Sequence, residues 1–200
     1  LQAKALRSKG RLHVKLGDHE AAMEAFQQSL NLMPDMPETA SERAYIDANI
    51  ALVWLNLGEA QKALELFIML RKKIHDLDPP VAAMCDSNIG LACYYLGDYP
   101  RALESLQNAV DRYHALNEPN QILKVMNNIA GIHMARGDTA QVLSTNMQSL
   151  ALARKIGDIH SIAVLLGNLA LIHQEHGDYV LASEHFRESL EISRSNGDKV

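Results

Sequence analysis

Cysteine is scarce in this 200-residue chain, aromatic side chains make up only 5% of it, and neither sign of charge dominates. Each shortage excludes something. The two cysteines, Cys85 and Cys93, lie eight residues apart on what reads as one helix. That spacing is about 12 Å along a helix axis, too far for a disulfide. Two reduced thiols without a framework point to a cytoplasmic chain. No stretch approaches the roughly 20 apolar residues of a membrane span, and no signal-peptide pattern opens the sequence, so no membrane partner is expected. The net charge of −5 and the few aromatics do not suit a nucleic-acid binder, which needs a basic stripe and stacking rings. A phosphate loop, a nucleophile elbow and an oriented Cys/His pair are all missing, so neither enzyme activity nor a cofactor is expected. Histidine is common, but His173, His176 and His185 lack the HExxH spacing of a zinc hydrolase, and no metal site is expected.

What the chain does have is a refrain. Gly17-Asp18, Gly58-Glu59, Gly97-Asp98, Gly137-Asp138 and Gly177-Asp178 follow one another at intervals of 41, 39, 40 and 40 residues. A fixed period in that range means stacked supersecondary units, a solenoid rather than a closed globule. Aligned on the glycine, the units run over residues 1–37, 38–78, 79–117, 118–157 and 158–197, each a helix–turn–helix. Glycine stands where the first helix (A) must end in a left-handed turn. Asp18, Asp98, Asp138 and Asp178 stand where the second helix (B) needs an N-cap acceptor. Helix A is expected near residues 2–16, 39–57, 80–96, 119–136 and 159–176. Helix B is expected near 19–32, 60–75, 99–116, 139–156 and 179–196. Leu1 begins inside a helical pattern, and Gly197-Asp198 repeats the register of Gly157-Asp158. The chain is therefore expected to be a single solenoid cut from a longer protein.

Small residues mark where the helices approach. Gly10, Ala51, Gly90, Ala130 and Ala170 precede the turn glycine by seven; Ala22, Ala63, Ala102, Val142 and Ala182 follow it by five. Phe26, Phe67, Leu106 and Phe186 follow by nine and would fill the gaps between helices. The fourth unit departs, with Val142 for the small residue and Asn146 for the bulky one; local repacking with Met147 filling the space is expected there, the alternative being a bend of the superhelix tuned for a ligand.

The spacing Gly10, Gly17, Ala22, Phe26, Ser29, Pro34, repeated at Ala170, Gly177, Tyr179, Ala182, Phe186 and Ser189, resembles the tetratricopeptide repeat family. The period of about 40 is similar to the long-repeat branch that includes kinesin light chain, the polarity adaptor LGN and bacterial Rap-type and MalT-type regulators. The resemblance implies an all-α, right-handed superhelix of about five repeats that binds a protein or peptide on its inner face.

Nine before each turn glycine stand Ser8, Asn49, Asn88, Asn128 and Asn168. Asparagine is a poor residue inside helices, so its recurrence at one position needs a reason. The resemblance implies that these amides line the inner face and hold the backbone of a bound peptide. The alternative is that each ties neighbouring helices together. Around them, Tyr45, Leu52, Leu91, Tyr94, Lys124 and Asn127 complete the candidate groove, apolar in its middle, although leucines there also suit helix–helix packing. Lys4, Arg7, Arg11 and Lys15 put four cations on one face of the first helix, and Arg7 and Arg11 occupy groove positions suited to an acidic partner. The other reading of that run is a solvated face. A partner helix with spaced apolar anchors would fit the same groove as an extended peptide. Two rival functions remain: self-association or spacing of an attached effector domain, and an RNA-reading helical repeat, which the charge and period disfavour.

Overall fold

A computed structural model describes residues 2–73 and 78–195, and every regular element among them is helical. The chain divides into two compact units, Leu1–Leu116 and Asn117–Val200, at the border between the third and fourth repeats. The first unit holds α1 (Gln2–Leu16), α2 (His19–Asn31), α3 (Ala40–Asn56), α4 (Ala60–Lys73), α5 (Pro79–Tyr95) and α6 (Tyr99–Ala115). The second holds α7 (Pro119–Ala135), α8 (Thr139–Ile156), α9 (Ile159–Glu175) and α10 (Tyr179–Ser195). Odd-numbered helices are the A helices and even-numbered ones the B helices. Before α3, Pro37–Thr39 form a short 3-10 turn, and the α-helix expected from Thr39 starts at Ala40. The expected helix ends at His75 and Asn196, and the Gly197-Asp198 start of a sixth unit, lie outside the described residues.

Each A/B junction is built alike. Gly17, Gly58, Gly97, Gly137 and Gly177 all take positive φ, between 72° and 82°. A side chain there would be strained, which is why glycine recurs. The glycine N–H returns to a carbonyl three residues back, and the next residue closes a wider loop: Asp18 N–H to His13 O at 3.0 Å, Asp98 N–H to Cys93 O at 2.9 Å. The same aspartates then receive the first turn of helix B. The Asp18, Asp98 and Asp138 carboxylates accept from the backbone N–H of Ala21, Arg101 and Gln141. A cap of this kind contributes about 1 kcal/mol. Asp78 and Asp158 do the same at the starts of α5 and α9.

Inside the hairpins, small residues on A face large residues on B. Phe26, Phe67 and Leu106 have no exposed surface. A Cβ added to Gly10 would sit 2.6 Å from the Phe26 ring, and one added to Gly90 would sit 2.5 Å from Leu106 Cγ. These two glycines are demanded by packing. The fourth hairpin differs from expectation: Met147 is 58% exposed and does not fill the space left by Asn146, which is itself buried. Met147 belongs to the outward face of α8, whereas Val142 and Leu150 supply the buried apolar surface. Phe186 is 39% exposed, unlike its counterparts in the first unit.

A charged stitch joins hairpins in the first unit. Asp86 of α5 is buried, and its two carboxylate oxygens accept from Arg71 Nε of α4 at 2.6 Å and Arg112 Nε of α6 at 2.7 Å. Burial makes such a group costly alone and well held when doubly paired.

Two outcomes test this packing. Phe67→Ala is expected to cost about 3–5 kcal/mol, and Phe186→Ala at the equivalent position clearly less, by urea denaturation. Asp86→Ala, which strands two arginines, is expected to cost about 3 kcal/mol with little relief from added salt.

Candidate functional site

The second unit contains a cleft of about 650 Å³ between its two A helices. Neighbouring A helices in the first unit touch, α1 with α3 and α3 with α5, but the α-carbons of α7 and α9 come nowhere within 8 Å of each other. Into the gap face Asn120, Lys124, Asn127 and Asn128 from α7, Ser149 from α8, and Asp158, His160, Ser161 and Val164 from the start of α9. Leu123 and Leu165, each only 8% exposed, form part of its wall and belong to the apolar core behind it.

Local sequence explains the polar lining. On α7, Asn120, Lys124 and Asn127 or Asn128 recur at three- and four-residue steps, one stripe of the helix. Lys124 Nζ rests 3.4 Å from the Gln121 amide oxygen, leaving its charge exposed. Ser149 shows how the fourth hairpin departs from its relatives. Ser29 and Ser189, in the same register, donate across their hairpins to the carbonyls of Ala3 and Ala163, both at 2.8 Å. The Ser149 hydroxyl instead donates to Thr145 O on its own helix. Asp158 accepts from both the hydroxyl and the backbone N–H of Ser161, at 2.6 and 3.0 Å. These bonds, the hydroxyl first, hold its carboxyl below the ordinary aspartate range.

The expected site residues divide by unit. In the second, Lys124, Asn127 and Asn128 come together in the cleft; Asn168 lies one turn beyond Val164 on α9. Among the described residues no side-chain hydrogen bond holds Asn127, Asn128 or Asn168. In the first unit the amides are engaged. Asn49 is 7% exposed and its NH2 donates to Tyr45 O at 2.6 Å. Asn88 donates to Met84 O at 2.9 Å and is half-buried. Both turn back on their own helix, and neither ties adjacent helices together. Leu52, Leu91 and Tyr94 are half-buried, with the Tyr94 ring 5.5 Å from that of Tyr95 and 6.0 Å from that of Tyr99. Arg7 lies over the Tyr45 ring at 5.2 Å and pairs with Glu42 at 2.6 Å. Its charge is thus already matched, while Arg11 is exposed.

Sequence reading missed Asn120, Ser149, Asp158, His160 and Ser161. A signal existed for one of them, Asp158, since Gly157-Asp158 repeats the turn chemistry of the A/B junctions, with Gly157 at φ 72° and Asp158 capping. It also missed a recurring pair: His13, His133 and His173 aim Nδ1 at the Asp18, Asp138 and Asp178 carboxylates, at 3.4, 3.9 and 3.6 Å. The His173 and His185 rings stack at 5.5 Å, and His176 Nδ1 lies 2.8 Å from Ile172 O; among the described residues no three His, Cys, Asp or Glu side chains gather as metal ligands. Both cysteines are fully buried, and burial pushes the Cys85 thiol up to about 12 and raises that of Cys93. Among the described residues no helix is long and apolar enough to cross a membrane.

Sequence models of the tetratricopeptide repeat match residues 81–155 and 121–195, and a second model with the same description matches residues 3–36. No curated protein is similar enough in sequence to count as a match. Solved structures with the same fold include the nearly identical TPR-like repeats of a putative kinesin light chain from Podosopora anserina. That likeness has a TM-score of 0.74 and 19% identity, covering 98% of this chain and 96% of the other. A signal-transduction ATPase with a tetratricopeptide repeat sensor from Pyrococcus horikoshii gives a TM-score of 0.83 at 16% identity, covering 98% of this chain and 31% of that one. A Rap protein complexed with Competence and Sporulation Factor gives 0.77 at 14% identity, covering 96% and 54%. At these identities the likeness is one of fold.

Titration of the Asp158 carboxyl by NMR is expected to give a midpoint below the ordinary aspartate value, moving upward in Ser161→Ala. Because the folded value is depressed, the cap's contribution to α9 is present above the unfolded pKa and is lost as pH falls through the folded one. In the native protein at pH 8, neither Cys85 nor Cys93 is expected to react with a thiol reagent; both should react once it is unfolded.

Proposed function

The chain belongs to the tetratricopeptide repeat family, and from that premise we propose that it is a non-catalytic scaffold that binds a peptide or protein segment in the cleft between α7 and α9. It serves as the sensory or docking region of a larger cytosolic regulatory protein. The observation that carries this reading is a group of polar side chains in one place, two of them amides without a hydrogen-bond partner among the described residues. Lys124, Asn127 and Asn128 face a cleft with an apolar wall, and among the described residues no hydrogen bond occupies the two amides. An amide carries donors and an acceptor, so it can serve a peptide backbone without demanding one side chain. Lys124 adds a preference for an acidic residue, and Leu123, Val164 and Leu165 offer an apolar seat. The sensor role of the repeats in the Pyrococcus horikoshii ATPase, and the bound factor in the Rap complex, support the same kind of use.

In the first unit, engagement of Arg7 by Glu42 and of Asn49 by its own helix moves the weight of binding to the second. A second reading, self-association, draws on the exposed apolar residues Tyr179, Val180 and Leu181 of α10. It predicts a concentration-dependent dimer indifferent to Asn128→Ala.

The test uses linear 12-residue peptides selected on the protein from a random display library. Lys124→Ala combined with Asn128→Ala is expected to weaken the selected peptides at least tenfold while leaving Tm within a few degrees. A large loss of stability with unchanged peptide affinity would make these residues structural and sink the proposal.

A further inference from the structure

The second hairpin breaks the junction scheme twice, at adjacent residues. The turn glycine of an A/B junction is followed by aspartate in four units and by Glu59 in this one. The next residue is His19, Tyr99, Thr139 or Tyr179 in the other units and Ala60 here. Neither change serves the hairpin itself. Among the described residues Glu59 accepts no backbone N–H from the first turn of α4, the bond that Asp18, Asp98 and Asp138 make. A helix without such a cap is less stable. The Glu59 carboxylate meets only the Lys62 ammonium, at 3.1 Å between two exposed side chains, a pair worth little.

Both departures line one cleft. It measures about 610 Å³ and opens among the hairpin ends of the first three repeats. Ala60, only 6% exposed, leaves room that a larger side chain would fill. Leu55 adds an almost buried apolar surface, and the exposed Tyr95 brings its ring. Glu59 is the one carboxylate among the lining residues, and no lysine or arginine lies among them. The Asn56 amide, also on the wall, has no hydrogen-bond partner among the described residues.

We propose that this cleft is a docking site for an arginine side chain of a partner protein, independent of the role proposed for the α7–α9 cleft. The chain itself displays the chemistry. The Arg7 guanidinium lies over the Tyr45 ring at 5.2 Å and pairs with the Glu42 carboxylate at 2.6 Å. Tyr95 and Glu59 offer the same two groups in one cleft. An arginine entering it stacks its plane on the ring, donates N–H groups to the carboxylate and to the Asn56 amide oxygen, and lays its methylene stem on Leu55. It displaces only the weak contact of Lys62. A lysine lacks the planar fork and gains less, and an acidic side chain is repelled by Glu59.

The probe is a five-residue peptide with arginine at its centre and leucine on either side, followed on the full chain by NMR of the Ala60 methyl group and the Tyr95 ring. Both signals are expected to move saturably. Citrulline in place of the arginine, which keeps its shape and removes its charge, should weaken binding at least fivefold, and so should Glu59→Gln. Ala60→Tyr, which installs the residue of the third and fifth units, should abolish binding without lowering Tm. Glu59→Asp, which restores the aspartate of the other junctions, should raise Tm by a few degrees and weaken the peptide. Lys124→Ala with Asn128→Ala should leave this binding unchanged, which separates it from the α7–α9 cleft. Equal affinity for the citrulline peptide, tighter binding of a glutamate-centred one, or indifference to both Glu59→Gln and Ala60→Tyr would overturn the assignment. Signals at Ala60 and Tyr95 that do not move at all would do the same.

Discussion

The geometry of every hairpin in this chain depends on a two-residue junction. A glycine in the left-handed region ends helix A, and the following acidic residue closes that helix with its backbone N–H. At Asp18, Asp98 and Asp138 the carboxylate then opens helix B. One residue thereby satisfies an orphan carbonyl of one helix and an orphan N–H of the next. With the turn so fixed, the small residue seven before it and the large residue nine after it meet face to face, and packing follows. At His13, His133 and His173, a histidine in the last turn of helix A points Nδ1 toward the carboxylate of the junction aspartate, at 3.4, 3.9 and 3.6 Å.

The second unit relaxes this regular scheme. In the first unit the A helices touch, the asparagine amides fold back on their own helices, and Arg7 is matched by Glu42 and Tyr45. In the second unit α7 and α9 stand apart, and among the described residues the amides of Asn127, Asn128 and Asn168 have no partner. Three departures gather in the fourth repeat: Asn146 in place of the bulky residue, Ser149 bonded within its own helix, and Gly131 in place of leucine. Each removes a contact that other repeats make. Their sum is open, polar space between the two A helices of this unit.

How much of this was legible in the sequence follows from the range of the interactions involved. Turn glycines and caps act within a few residues, and the small–large register, which spans sixteen, recurs from unit to unit, so the sequence displayed both; the helices fall close to where the spacing put them. Asp86 was not legible, because its partners Arg71 and Arg112 lie 15 and 26 residues away on separate helices. Periodicity singled out the asparagine position, but not that Asn49 would be buried while Asn128 opened on a cleft. That difference comes from the separation of α7 and α9, which no local pattern encodes. Asn120 and His160 were invisible for the same reason: each becomes part of a wall only once two hairpins are docked. Met147 was expected inside on volume alone, and its outward direction is set by the face of α8 on which it lies.

The most direct measurement of the central claim is intermolecular NOE contact between the side-chain amides of Asn128 and Asn168 and a bound selected peptide. A peptide backbone held between α7 and α9 should give contacts from both amides to peptide α-protons. Contacts confined to α8 and α10, with the two amide resonances unmoved by saturating peptide, would contradict it.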